Sequence, residues 1–226
     1  MNIDTYLYMP PSPSYNAQHP YYKVSPVPHL GKYNIGSKKL TVFYHGNATD
    51  SGRMALRILD TLGDNIILPE YPGYGIYKPG LSCDTSIILD DVTKLAKWLI
   101  DQKYDVHVIG ESIGTGPASS LAKKLSYKGR LVALHLLSPF YSLKRLANDY
   151  TCLGLGHLVY DSYPNYHNID RIKRPVFIYH GKDDSIISYQ HALQLSKKAN
   201  VKLYSYHCDH NDIWDCAHSE LLRKLS

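Results

Sequence analysis

From Leu40 onward, short apolar runs alternate with longer amphipathic ones. Leu40 to Tyr44, Asn65 to Tyr71, Val106 to Ile109, Leu131 to Leu137, Pro175 to Tyr179 and Val201 to Tyr206 are rich in β-branched and aromatic residues and read as strands. Between them, apolar residues recur at helical spacing. Met54, Leu56, Ile58, Leu59 and Leu62 follow a capping Asp50, and Leu89, Val92, Leu95, Trp98 and Leu99 follow Asp84 or Ser86. Leu121, Ala122 and Leu125 mark a third helix, Ala192, Leu193 and Leu195 a fourth, and Ile213 to Leu225 the last. The Leu131–Leu137 run has little polar alternation, as expected of a strand covered on both faces. Strands alternating with helices predict an α/β protein with a doubly wound, mostly parallel sheet and helices on both sides.

The first 39 residues differ. Met9-Pro10-Pro11-Ser12-Pro13, Pro20, Pro26 and Pro28 exclude a helix and interrupt strand ladders. The expected organisation is therefore an extended Tyr/Pro-rich arm over 1–39, with at most a fragment of edge strand, and one globular domain over 40–226. The sheet's N-terminal edge is expected to be truncated. The arm's aromatics are expected to fold back onto the domain; the alternative is a ligand for a proline-recognising module. Between Pro139 and Arg174 there is room for a small cap, in which Leu143, Leu146, Leu153, Leu155, Leu158 and Val159 are candidates for an acyl groove or for core.

Composition narrows the function. The chain has 226 residues, enough for one substantial core, and a net charge of +5 spread along its length. No basic motif or aromatic platform accompanies that charge, which argues against nucleic acid as a partner. Weak attraction to an anionic membrane surface remains compatible with it. The four cysteines have no C-x-x-C pairing, and no apolar run approaches the twenty residues of a membrane span. The expected location is cytoplasmic, peripheral at membranes.

The chemistry centres on Gly110-Glu111-Ser112-Ile113-Gly114, which lies between a strand and a helix. A serine on so sharp a turn has its hydroxyl pushed clear of the backbone. In an open parallel sheet, functional groups gather beyond the carboxyl ends of the strands. His45-Gly46-Asn47, His180 to Asp184 and His207 to Asp212 each follow a predicted strand, as Ser112 does. Ser112 is the expected nucleophile, His210 its base and Asp184 the carboxylate that orients the base, with Asp183 and His207 as alternatives. The backbone N–H groups of Asn47 and Ile113 are the expected oxyanion donors. His45 reads as a structural residue placing that loop. No metal is expected at His207 to His210, because adjacent residues leaving one strand do not converge. No cofactor is implied.

These residues together resemble the α/β-hydrolase superfamily, and within it the α/β-hydrolase domain-containing protein 17 group. The resemblance rests on His45-Gly46-Asn47-Ala48 with Asp50, Gly73-Tyr74-Gly75, Gly110 to Thr115 with Pro117, and Ser138-Pro139-Phe140. It continues through Asp161 to Asn165, Ile169 to Ile172, His180-Gly181 with Asp184, and His210-Asn211-Asp212. Met9 to Tyr15 is similar to that group's proline-rich segment. The resemblance implies a triad of Ser112, Asp184 and His210. It also implies hydrolysis of acyl esters or thioesters, including palmitoyl thioesters of lipidated proteins at a membrane surface. A serine peptidase or amidase on the same triad, and a silent hydrolase fold used for binding, are the competing expectations.

Overall fold

The structure is a computed structural model, and it describes residues 7–34, 36–150 and 161–225. One eight-stranded sheet organises it. Its strands are β1 (Tyr22–Lys23), β2 (His29–Lys32), β3 (Lys39–Tyr44), β4 (Ile66–Pro69), β5 (Asp105–Glu111), β6 (Leu131–Leu137), β7 (Val176–Gly181) and β8 (Lys202–Tyr206). The helices are α1 (Ser51–Leu62), α2 (Thr85–Asp101), α3 (Thr115–Tyr127), α4 (Leu143–Tyr150), α5 (Asn165–Ile169), α6 (Gln190–Ala199) and α7 (Ile213–Leu225). The strand order is β1-β2-β4-β3-β5-β6-β7-β8. β3 to β8 run parallel, whereas β1 and β2 are antiparallel additions at one edge.

The apolar strands are apolar because alternate residues feed two cores. In β3, Val42 and Tyr44 face one cluster and Phe43 the other; in β4, Ile67 faces the first and Ile66 and Leu68 the second. α2, α3 and α6 cover the first face through residues such as Val92, Leu95, Leu121, Leu125 and Leu195. α1 and α7 cover the other with Met54, Ala55, Ile58, Trp214 and Leu221. The capping residues act as expected: Asp50 accepts from Arg53 N, and Asp84 rather than Ser86 caps α2. Leu56 is 86% exposed and does not belong to the buried face of α1, which its neighbours at helical spacing already fill.

One difference concerns the N-terminal third. Residues 20–39, expected as an arm with at most a strand fragment, supply both β1 and β2. The prolines do not interrupt them, because Pro26 and Pro28 lie in the turn between the two strands. β2 pairs along all of β4, His29 opposite Pro69 and Lys32 opposite Ile66, and so closes what would otherwise be an open edge. The arm ahead of them folds back as expected of its aromatics: Tyr8 and Tyr15 are both buried.

Candidate active site

Four loops leave the carboxyl ends of β3, β5, β7 and β8 on the same side of the sheet. Ser112 follows β5 with φ 55°, in the left-handed region that a serine occupies only when its surroundings force it. It opens a single 3₁₀ turn, Ser112–Gly114, that runs into α3. Two glycines make this turn possible. A Cβ on Gly110 would meet Ala118 Cβ at 2.6 Å, and one on Gly114 would meet the Tyr44 carbonyl oxygen at 2.4 Å. The elbow is therefore pressed against both α3 and the end of β3.

The structure brings Ser112, His210 and Asp184 into one hydrogen-bonded run. His210 Nε2 lies 2.9 Å from Ser112 Oγ, and His210 Nδ1 lies 2.8 Å from Asp184 Oδ2. With Nδ1–H donating to the carboxylate, Nε2 is left to accept from the serine hydroxyl. Asp184 Oδ1 accepts from the N–H groups of Ile186 and Ile187 at 3.0 and 2.7 Å. Its Oδ2 also faces His180 Nε2 at 3.1 Å. Burial alone would push this carboxyl up, but the hydrogen bonds from His180 and His210, with the Ile187 N–H, hold it well below the usual carboxylate range. Asp184 is therefore charged wherever a histidine can act as a base.

The alternative residues lie elsewhere. Asp183 and His207 face each other at 3.4 Å on the exposed surface, away from Ser112. Asp209 braces the site. It accepts from His210 N at 2.7 Å and from Ser185 N at 2.8 Å, tying the loop after β8 to the loop after β7. Among the described residues no group of three or more His, Cys, Asp or Glu is arranged to hold a metal ion.

Ile113 follows the serine directly in the chain, and Asn47 follows Gly46 in the loop after β3. A Cβ on Gly46 would stand 3.5 Å from Ser112 Cβ, so the loop after β3 lies directly against the elbow. His45 is fully buried; its Nε2 pairs with Glu70 Oε1 at 2.9 Å and its Nδ1 meets the Gly46 carbonyl at 2.8 Å. Glu70 has no motif to announce it in the sequence, although it follows β4 directly. Glu111, inside the serine motif, is a second missed carboxyl. It is buried, with Oε1 3.4 Å from Arg57 Nη1 and no partner for Oε2. Burial raises its pKa, with Arg57 and His210 pulling the other way.

A cleft of about 450 Å³ adjoins Asp184 between α4 and the β7–α6 loop, lined by Leu146, Tyr150, Lys182, Ile186 and Tyr189 among others. Of the apolar cap candidates, Leu146 borders this cleft and Leu143 is buried in the core. Leu153, Leu155, Leu158 and Val159 lie outside the described residues. Among the described residues no helix is long and apolar enough to cross a membrane.

A parallel sheet of this strand order with an antiparallel edge, and a serine elbow after β5, defines the α/β-hydrolase fold. The chain has that fold, which it shares with solved α/β hydrolases, and it is similar in sequence to α/β-hydrolase domain-containing proteins. It is 31% identical over 189 residues to human α/β-hydrolase domain-containing protein 17B, an alignment covering 78% of this chain and 62% of that relative. The chain thus spans less than two thirds of the relative's length. The Pyrococcus furiosus esterase Pf2001 superposes with a TM-score of 0.62 at 19% identity, covering 85% of this chain and 84% of the esterase. Est1E from Butyrivibrio proteoclasticus gives 0.63 at 16%, covering 91% and 94%. No protein-family model matches the chain.

Proposed function

We propose that this protein is a serine hydrolase of acyl esters or thioesters that works through an acyl-enzyme. The observation that carries the proposal is the unbroken run from Asp184 through His210 to Ser112, with the serine held at positive φ. His210 Nε2 removes the Ser112 proton as Oγ attacks the acyl carbonyl, and the charged Asp184 stabilises the imidazolium that results. The tetrahedral oxyanion is taken by the backbone N–H groups of Ile113 and Asn47. Collapse expels the alcohol or thiol, which receives the proton from His210. Water then enters by the same route in reverse, and the carboxylic acid leaves.

An S-palmitoyl protein substrate is the finer form of this proposal. It rests on the similarity to the domain-containing protein 17 group and on the mixed apolar and polar cleft beside Asp184. The test is labelling by a fluorophosphonate probe together with a turnover panel of acyl esters and S-acyl peptides. The wild type is expected to label and turn over, Ser112→Ala to do neither, and Asp184→Asn to lose about three to four orders of magnitude in kcat. Asp183→Asn is expected to keep its rate. Labelling that survives Ser112→Ala would sink the assignment.

A further inference from the structure

We propose that the N-terminal arm, Leu7 to Tyr15, is a positioning element of the oxyanion hole, acting through the side chain of Asn47. The proposal rests on the hydrolase function above, in which the backbone N–H of Asn47 is one of two donors. Any residue supplies that N–H, so the asparagine side chain has a separate task.

The carboxamide of Asn47 is spent on the arm. Its Nδ2 donates to the Leu7 carbonyl at 2.7 Å, and its Oδ1 accepts from Met9 N at 2.9 Å. One side chain thus holds two backbone groups of the arm, a carbonyl and the N–H two residues later. Tyr74 OH closes the arrangement, donating to Asn47 Oδ1 at 2.5 Å while accepting from Met9 N at 2.9 Å. Ala48 N also reaches Asn47 Oδ1, at 3.0 Å, and Ala48 sits at φ 54°. A non-glycine residue holds that conformation only when its surroundings over-determine it.

The arm grips the same short loop at both ends. At its start, Tyr15 OH donates to Glu70 Oε2 at 2.8 Å, and Glu70 Oε1 holds His45. At its end, Ser14 N and Oγ donate to Asp50 at 2.7 and 2.5 Å, on the residue that caps α1. Between these, Tyr8 anchors the arm, its hydroxyl 2.8 Å from that of Tyr163. Two attachments therefore fall directly on the six residues His45 to Asp50, at Asn47 and Asp50, and a third reaches His45 through Glu70. A donor must stand within a few tenths of an ångström of its ideal place to stabilise the oxyanion, so a loop allowed to relax loses rate while substrate still binds.

The test uses the full chain. Asn47→Ala keeps the backbone donor and removes the clamp. Met9→Pro removes from the arm side the one N–H that Asn47 Oδ1 and Tyr74 OH share, in a segment already followed by two prolines and with Met9 60% exposed. Each variant is expected to lower kcat per active site, the sites being counted by stoichiometric fluorophosphonate labelling, roughly 10-fold or more with KM within about twofold; loss of folded protein lowers the number of titrated sites instead. The double variant is expected to be no worse than the more severe single one, because both break the Asn47–Met9 hydrogen bond of the same clamp. If Asn47→Ala does not fold, Met9→Pro and Tyr15→Phe carry the same kcat test. An active wild type whose variants keep their kcat, or whose effects multiply in full, overturns the proposal alone. A wild type that neither labels nor turns over overturns the hydrolase function and this proposal together.

Discussion

Glu111 illustrates how a residue beside the nucleophile can be costly to the fold. Its carboxylate is buried with one oxygen unpaired, and burial raises its pKa above the ordinary 4.5. A raised folded pKa means that the native state prefers the protonated form. Its contribution to stability is thus fully present below about 4.5 and is lost as pH rises through the folded value. At pH 7 the carboxylate is a net burden. Glu111→Gln is expected to melt higher than wild type at pH 7, with the difference closing as pH falls towards 4.5. Equal melting temperatures across that range would contradict this. The candidate residues at this scale were legible where a motif announced them: Ser112 by its glycines, Asp184 and His210 by their places after strands. Glu70, Glu111 and Asp209 were not, because a lone acidic residue carries no local pattern and its role depends on which loops meet.

At the scale of elements, the elbow is a contact between three of them. Gly114 lies under the end of β3, where an added Cβ would stand 2.4 Å from the Tyr44 carbonyl and 2.6 Å from that of His45. Backbone carbonyls cannot rotate away as a side chain can. Gly114→Ala is therefore expected to push the elbow from the loop that holds Asn47, cutting kcat by at least about 10-fold, comparable to a misplaced oxyanion donor. Wild-type turnover in a folded Gly114→Ala protein would refute that packing argument. The parallel strands and the long helices were readable from periodicity. β1 and β2 were not, since a two-residue and a four-residue strand among prolines have no periodicity to read. Their strand identity comes from pairing, β2 against β4 and β1 against β2.

At the scale of the whole molecule, several histidines are buried and neutral. Burial lowers His135 to about 3 and His29 to about 4, from an ordinary 6.5. His107 and His191 are lowered by burial as well. A depressed histidine contributes stability that is present above pH 6.5. That stability is lost as pH falls towards the folded value, because only the unfolded chain takes up the proton. The melting temperature is expected to fall between pH 7 and pH 5, and His135→Phe to flatten part of that slope; a pH-independent wild type would refute this. The order of strands and helices and the strand-end positions of Ser112, Asp184, His210 and Asn47 follow from the sequence, because periodicity and turn chemistry are local. Only the tertiary structure decided that Asp184, not Asp183, meets His210, and that a proline-rich arm clamps the loop after β3. Those contacts join residues 26 positions apart in the one case and up to 40 in the other, and no local pattern encodes which of two neighbouring carboxylates will face inward.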